Sequence, residues 1–406
     1  MKKNLLFIIA SALVFAACSN SDLRNDIQNE QAEIGFSTYT GKLTRAENST
    51  ATQKHALNNH HTTFEVWGYK TINNEKSLVF GTENGSGTQI YWNSTDEIWQ
   101  YSPLRFWDKS ASSYSFFAAA PATATWTYAN DKIALTSFSV DGSSLEASSS
   151  IDADANFGAK DIMISEDVTV LPANYTTAKV QLNFIHLLTR LNIGVRKAAT
   201  LNDYYVKLKS VKVYNLVDGG DFSEATEAVQ NGSIARWAQN NTVSNNSKDG
   251  YGYATDTEVK SDYNYVYQSL FIPQQVDYVA NTPLNGVGLD ATSKPYIKIN
   301  YEFYSGEKYT TEEIAAASEG EDAYGKIAGE FKSSSLTLVD SYNYSYNLAD
   351  IFNGAESTNP VKFNEGWMNT LQITIEPVAI NFAADVYEWQ PITDVPVNVP
   401  DVNSQQ

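Results

Sequence analysis

The sequence predicts a mainly β protein with two β-sandwich-like domains in tandem after an N-terminal signal peptide. The 406 residues include 25 Tyr, 18 Phe and 8 Trp, whereas only 18% of them are charged. This composition favours strands over helices. Short segments that alternate apolar and polar residues recur along the chain, a spacing typical of sandwiches rather than of strand–helix–strand units. The length suggests two domains rather than one.

The start of the chain predicts export. A short basic start, Met1–Lys3, precedes an apolar run over Leu5–Ala17. A run of this length fits the core of a signal peptide and is too short to span a bilayer. Small residues stand before Cys18, the only cysteine. We therefore predict that residues 1–17 are a lipoprotein signal peptide and that Cys18 carries lipid. The alternative is an ordinary signal peptide with a chance cysteine nearby.

The N-terminal domain is predicted over residues 34–197, after a flexible polar tether over residues 18–33. In its first strand, Ile34, Phe36 and Thr38 fall on one side. A Ser-rich loop is expected over residues 139–150. The strand candidates are 33–39, 63–69, 78–80, 90–92, 113–118, 133–140, 161–165, 180–184 and 191–195.

The C-terminal domain is predicted over residues 198–389, because polar and small residues over 196–202 suggest a boundary. The first strand of this domain should shift its alternation near Ser210. A long polar loop is expected over 238–262, and one or two helical turns over 310–317. The strand candidates are 206–213, 265–272, 297–304, 335–342, 367–376 and 378–389.

The tail over residues 390–406 differs from the rest because three prolines interrupt it. Proline excludes a central strand, since it lacks the N–H that a sheet requires. Nevertheless Val395, Val397 and Val399 alternate with other residues, and with Ile392 they form a candidate donor strand. The tail could lie at a sheet edge, pair with another molecule or be disordered.

The sequence contains no motif that predicts catalysis or a cofactor. His55, His60 and His61 lie in a polar stretch that we interpret as a solvated loop rather than a metal site, and His186 as a structural residue. No zinc-protease, Walker or dinucleotide motif is present, and the folded part has no thiol for catalysis. We therefore predict that the protein is not an enzyme, with no cofactor and no metal. The net charge of −19 disfavours nucleic-acid binding.

One acidic segment partly matches a calcium-binding loop. Asp152, Asp154 and Asn156 occupy the first three ligand positions of an EF-hand. The pattern then fails at Phe157, where glycine is needed, and at Met163, where glutamate is needed. An acidic turn is the favoured interpretation, with a loose surface calcium site as the alternative.

Seven segments occur in an order that resembles one family. They are Phe15–Cys18, Ile34–Phe36 leading to Leu43–Ala46, Phe64–Tyr69, Tyr101–Trp107, Tyr114–Ala118, Phe184–Asn192, and Ile380–Phe382 with Trp389. Together they resemble the fimbrillins of Bacteroidetes, the lipoprotein subunits of type V pili. The resemblance covers nearly the whole chain after the signal peptide, and its specificity comes from the ordered set rather than from any single motif.

The resemblance implies transthyretin-like sandwiches and a structural or adhesive role in a fimbrium at the outer membrane. It also implies that a protease cuts after an arginine, here Arg45 before Ala46. The cut would free the first strand, and a strand from a neighbouring pilus subunit would replace it. Partners would be other pilus subunits, the outer membrane through Cys18 before processing, and a host or bacterial surface ligand. The alternative for Arg45 is an exposed loop residue without a role.

Two other functions remain open from the sequence. The first is a surface glycan-binding lipoprotein of an outer-membrane uptake system, because aromatic faces can stack on sugar rings. A row of exposed aromatic side chains on one face, without a removable first strand, would favour it. The second is a secreted hydrolase, which would need acidic residues converging in a cleft.

Overall fold

The computed structural model describes residues 32–40, 57–82, 85–151, 156–175, 179–224, 236–239, 250–276, 295–353, 361–377 and 379–388. Within these ranges the chain is mainly β, as the sequence predicts. No helix in the described ranges is long and apolar enough to cross a membrane. Cys18, Arg45, Ala46, His55 and the candidate donor segment Ile392–Val402 lie outside them.

Among the described residues, twelve strands precede residue 198. They are β1 (Phe36–Thr40), β2 (Thr63–Ile72), β3 (Glu75–Phe80), β4 (Thr88–Asn93), β5 (Ile98–Gln100), β6 (Ser113–Ala120), β7 (Trp126–Ala129), β8 (Lys132–Ser139), β9 (Met163–Ser165), β10 (Val168–Val170), β11 (Val180–His186) and β12 (Thr189–Lys197). Short 3-10 helices connect some of them, at Leu57–Asn59, Gly158–Lys160 and Pro172–Asn174.

The remaining elements follow a 3-10 helix at Ala199–Leu201. They are β13 (Tyr205–Tyr214), β14 (Gly219–Ser223), β15 (Trp237–Gln239), β16 (Tyr251–Tyr253), β17 (Thr257–Glu258), β18 (Asn264–Phe271), β19 (Gln274–Val276), β20 (Tyr296–Ser305), α1 (Thr311–Ala316), a 3-10 helix at Ser333–Ser335, β21 (Thr337–Asn347), α2 (Leu348–Asn353), β22 (Val361–Phe363), β23 (Trp367–Ile375) and β24 (Ile380–Glu388). The predicted helical turn is confirmed as α1.

A nine-stranded sheet forms the N-terminal part in the order β1-β11-β9-β6-β2-β4-β5, with β3 beside β2 and β10 beside β6. The sheet curls around an aromatic core that includes Phe64, Phe116 and Phe184. Curling brings its two ends together, since Trp99 in β5 donates a hydrogen bond to Thr38 in β1. The first strand therefore closes the N-terminal core.

Two sheets pack as a sandwich in the C-terminal part. One has the order β18-β12-β23-β24, and the other β16-β13-β20-β21 with β17 beside β13. Side chains of β12 and β13, for example Ile193 and Val211, meet in one buried core. The predicted shift near Ser210 is confirmed, because the pairing of β13 with β20 changes register between Leu208 and Ser210.

The two parts are tied together by strands that cross between them. β8 pairs with β14, in a four-stranded sheet of order β15-β14-β8-β7. A third buried core lies at this junction and includes Trp67, Trp126, Leu188 and Trp237. β12 pairs with β18 and β23 of the C-terminal sandwich. For this reason we propose a division between β11 and β12 rather than at residue 198.

Parts of two predicted loops pair with neighbouring strands. Residues 238–262 were expected to be one long polar loop. The residues described there include the end of β15, which belongs to the junction, and β16 and β17, which pair with β13, whereas residues 240–249 lie outside the described ranges. The Ser-rich segment after β8 docks along β18, where Leu145 N donates to Gln268 O and the Tyr267 hydroxyl donates to Gly142 O. Backbone groups at the edge of β18 are thereby satisfied, which sequence periodicity cannot reveal.

Candidate functional site

The candidate site is the groove that holds β1. The strand runs parallel to β11, with Phe36 opposite Val180, and Val180 N donates to Gly35 O over 2.8 Å. Just before β1, Ile34 N donates to Arg105 O over 2.9 Å. The first described residues are therefore held by main-chain hydrogen bonds on both sides, which is how an inserted strand is retained.

Phe36 occupies a pocket made of aromatic rings and is only 1% exposed. Its ring centroid lies 5.3 Å from that of Phe80, 5.9 Å from those of Tyr101 and Phe116, and 6.3 Å from that of Phe64. All four contacts are edge-to-face, an arrangement that aromatic pairs prefer. The pocket is therefore filled by a large planar side chain.

Polar contacts fix the positions on either side of Phe36. The Tyr101 hydroxyl donates to Ile34 O over 2.7 Å, and burial raises the pKa of Tyr101 to about 12. The Trp99 indole Nε1 donates to Thr38 Oγ1 over 3.0 Å. The groove thus holds three inward-facing side chains at alternate positions. They are the aliphatic Ile34, the aromatic Phe36 and Thr38, whose hydroxyl accepts a hydrogen bond.

The structure brings Ile34, Phe36 and Thr38 to one inward side, in agreement with the alternation in the sequence. Their exchange for another strand stays a prediction. Trp99 and Tyr101 also line the groove, although the sequence did not single out either of them as a site residue. Their spacing of two residues is itself a strand signal, although the segment was too short to stand out.

β1 occupies a terminal position among the described strands of its sheet. β1 lies at one end of its sheet and pairs with β11 alone among the strands. It ends at Thr40, and the next described residue is Leu57. Arg45 and Ala46 fall between them. Removing β1 would consequently interrupt no other strand pair.

A cluster of buried histidines lies beside this groove, and here the solvated-loop interpretation is wrong. His60 and His61 are only 7% and 4% exposed, respectively. They follow the 3-10 helix Leu57–Asn59, which packs near β1. His186 Nδ1 lies 2.9 Å from the carboxylate oxygen Oδ1 of buried Asp161, and the His60 and His186 rings meet edge to face at 5.8 Å. The structural interpretation of His186 agrees with this geometry.

Burial controls the protonation of His61. It lowers the pKa of His61 below its ordinary value of 6.5, while the charge and backbone of Asp161 oppose this effect and His186 adds to it. His61 Nε2 has no hydrogen-bond partner among the described residues. In the same part of the chain no group of three or more His, Cys, Asp or Glu side chains is arranged to hold a metal ion.

The segment that partly matches a calcium loop is used structurally where it is described. Asn156 Oδ1 accepts a hydrogen bond from Gly158 N, and Asn156 Nδ2 donates to Asn59 O over 2.7 Å. Asp152 and Asp154 lie outside the described residues. Asn156 therefore braces the turn that carries His60 and His61.

The segment from Phe184 to Leu191 passes through all three cores. Phe184 belongs to the N-terminal core, Leu188 to the junction and Leu191 to the C-terminal sandwich. Arg190 is fully buried, and its guanidinium donates to Asn192 Oδ1 and Gln268 Oε1, each over 2.8 Å. The resemblance in this segment thus coincides with the part of the chain that joins the two halves.

The chain matches a family model and a known fimbrium subunit. The family model described as fimbrillin-like matches residues 44–360. The fimbrium subunit Fim1C of Phocaeicola vulgatus is 30% identical over 125 residues, which span 29% of this chain and 30% of that protein.

Two solved structures cover most of the chain at low identity. A fimbrial protein from Bacteroides vulgatus has 18% identity and a TM-score of 0.42, with 88% of this chain and 99% of that chain covered. The tip fimbrial protein Mfa3 from Porphyromonas gingivalis has 10% identity and a TM-score of 0.39, with 88% and 100% covered.

Proposed function

Since the family model spans residues 44–360, the chain belongs to the fimbrillin-like family, and from this premise we propose that it is a structural and adhesive subunit of a cell-surface pilus. Its partners are other pilus subunits. Before assembly, lipid on Cys18 holds it at the outer membrane, where acyl chains contribute ~0.8 kcal/mol for each buried methylene.

The observation that supports assembly by strand exchange is the position of β1. It is the first described strand, it lies at the end of its sheet, and it fills the N-terminal core with Ile34 and Phe36. A cut after Arg45 leaves β1 held only by non-covalent contacts. Departure of β1 exposes the pocket of Phe36 and the main-chain groups of β11, which a strand from a neighbouring subunit can satisfy.

The direction of the incoming strand follows from the pairing of β1. Because β1 is parallel to β11, a strand that takes over its hydrogen bonds runs in the same direction. The candidate donor segment Ile392–Val402 follows β24 in the sequence, so it can extend from one subunit toward the groove of the next. The family resemblance and the apolar alternation of this segment support the proposal.

Replacement of the processed arginine tests the mechanism. Arg45→Ala should cause the lipidated precursor to accumulate and pili to shorten or vanish, measured by immunoblot and electron microscopy of surface fibres. Lys42→Ala is the matched control, because it removes a neighbouring basic residue and leaves the arginine in place. Normal pili in the Arg45→Ala strain would show that cleavage at this arginine does not drive assembly.

Sequencing the N-terminus of protein from sheared fibres tests the same step independently. A start at Ala46 is expected for a polymerised subunit. A lipid-blocked start at Cys18 in the fibres would contradict removal of β1.

The glycan-binding alternative receives no comparable support. Its expected signature is a row of exposed aromatic side chains on one face. The most exposed aromatic side chains in the described ranges are those of Tyr91, Phe106, Tyr204 and Tyr324, and no two of them lie on the same strand. We therefore favour the pilus subunit.

A further inference from the structure

We infer that the groove is built for a strand that places an aromatic side chain in the pocket of Phe36. This inference rests on the proposed exchange of β1. The candidate donor segment of a second copy of this chain, residues 392–402, does not meet that requirement. The partner is therefore a different pilus subunit, whose donor strand presents an aliphatic residue, an aromatic residue and a hydroxyl at alternate positions.

The first argument is the shape of the pocket. Four aromatic rings surround Phe36 with centroids 5.3–6.3 Å away, and the ring is almost completely buried. Their positions leave a space of the size of a phenyl ring. Side chains in a core are close-packed, so a smaller residue would leave part of this space empty and lose its contacts.

The second argument is the sequence of the candidate donor segment. Residues 392–402 read Ile-Thr-Asp-Val-Pro-Val-Asn-Val-Pro-Asp-Val and contain no aromatic residue. If Val395, Val397 and Val399 point inward, Val397 takes the position of Phe36 and Val399 that of Thr38. Valine leaves the aromatic pocket underfilled, and it offers no acceptor to the Trp99 indole.

The third argument is the position of two prolines. In β1 the main-chain groups of the outward-facing residues turn toward β11, since Gly35 O accepts a hydrogen bond from Val180 N and Phe36 lies opposite Val180. With the three valines inward, Pro396 and Pro400 fall at outward-facing positions. Proline has no N–H, so this register loses ladder hydrogen bonds that β1 can make.

Trp389 does not remove the mismatch. It follows β24 directly, because that strand ends at Glu388. If Trp389 filled the aromatic pocket of a neighbouring subunit, no residue would remain between β24 of one subunit and the groove of the other to connect them.

Peptide exchange into the intact protein tests the inference. The full mature chain is cut after Arg45 with an arginine-specific protease, and fluorescent peptides are added in excess while anisotropy is recorded. The probes are residues 32–41, the same peptide with Phe36→Val, and residues 390–402 with and without Val397→Phe. The matched control is residues 390–402 with Asn398→Phe, which adds the same ring on the outward side.

The expected result is that peptide 32–41 enters the groove at least about tenfold more tightly than its Phe36→Val form and than the wild-type tail peptide, as filling of a core pocket requires. Val397→Phe should improve the tail peptide, whereas Asn398→Phe should not. Equal binding by the wild-type tail and by peptide 32–41 would overturn the inference and leave the exchange mechanism intact. Failure of every peptide, including 32–41, would instead contradict the exchange of β1 itself and the inference with it.

Discussion

The indole of Trp99 donates a hydrogen bond to the hydroxyl of Thr38 over 3.0 Å, and this contact joins the two ends of the nine-stranded sheet. Trp99 is nearly buried, so its N–H has little access to water. This hydrogen bond therefore links β1 to β5, in addition to the main-chain pairing of β1 with β11.

Replacing this hydroxyl should weaken the hold on β1. We expect Thr38→Val, which keeps the size of the side chain, to lower the free energy of unfolding of the uncut chain by about 1–2 kcal/mol, because the indole N–H loses its acceptor. Urea titration followed by tryptophan fluorescence measures the change. Ser37→Ala is the control, since its hydrogen bond to Gln181 is exposed and its loss should cost under about 0.5 kcal/mol. Equal stability of the two variants would show that the Trp99 contact contributes little.

Removing the ring of Phe36 should have a larger effect. Phe36→Ala leaves a cavity among four aromatic rings, and such changes cost about 3–5 kcal/mol. Denaturant unfolding gives the value. Phe106→Ala is the matched control because the Phe106 side chain is 46% exposed, and its loss should stay within about 0.5 kcal/mol. A similar cost at both positions would contradict the packing role of Phe36.

The burial of His61 should make stability depend on pH. The pKa of His61 is lowered in the folded state, so below its ordinary value of 6.5 the unfolded chain binds a proton that the folded chain resists. This contribution to stability is present above pH 6.5 and is lost as the pH falls, by at most about 1.4 kcal/mol per pH unit for one proton.

Thermal unfolding between pH 7.5 and 5.0 measures this effect. His61→Gln should flatten the decline below pH 6.5, since glutamine does not titrate. Asp161, His186 and His60 face His61 and are left unchanged in this variant, so the difference between the two slopes belongs to position 61. An unchanged slope in the variant would assign the pH dependence to groups other than His61.

Glycine is required where the Ser-rich segment packs on the C-terminal half. Gly142 has a φ of +63°, and a Cβ there would lie 1.9 Å from a ring carbon of Tyr251. We expect Gly142→Ala to lower the free energy of unfolding by about 2–4 kcal/mol, through steric overlap and left-handed backbone strain. Gly158→Ala is matched in backbone, with a φ of +61°, but nothing lies within 4 Å of its added Cβ. It should cost about 1–2 kcal/mol, from strain alone. A Gly142→Ala variant no less stable than Gly158→Ala would show that Tyr251 moves aside freely.

The sequence by itself determined the class of fold, most of the strands and the side on which their residues lie. Ile34, Phe36 and Thr38 share a face because side chains alternate along any strand, a local property of the backbone. The shift near Ser210 could be predicted for the same reason. Family membership also followed from the order of segments along the chain.

Tertiary structure alone decided which strands pair and which polar residues are buried. His60 and His61 look solvated in a polar stretch, yet both are buried, and they contact His186 and Asp161, about a hundred or more positions away in the sequence. β12 joins the C-terminal sandwich because it pairs with β23, nearly 180 residues later. Such long-range contacts leave no periodic signal near the residues that make them, so no local pattern could place the aromatic pocket around Phe36 or the pairing of β12 with β23.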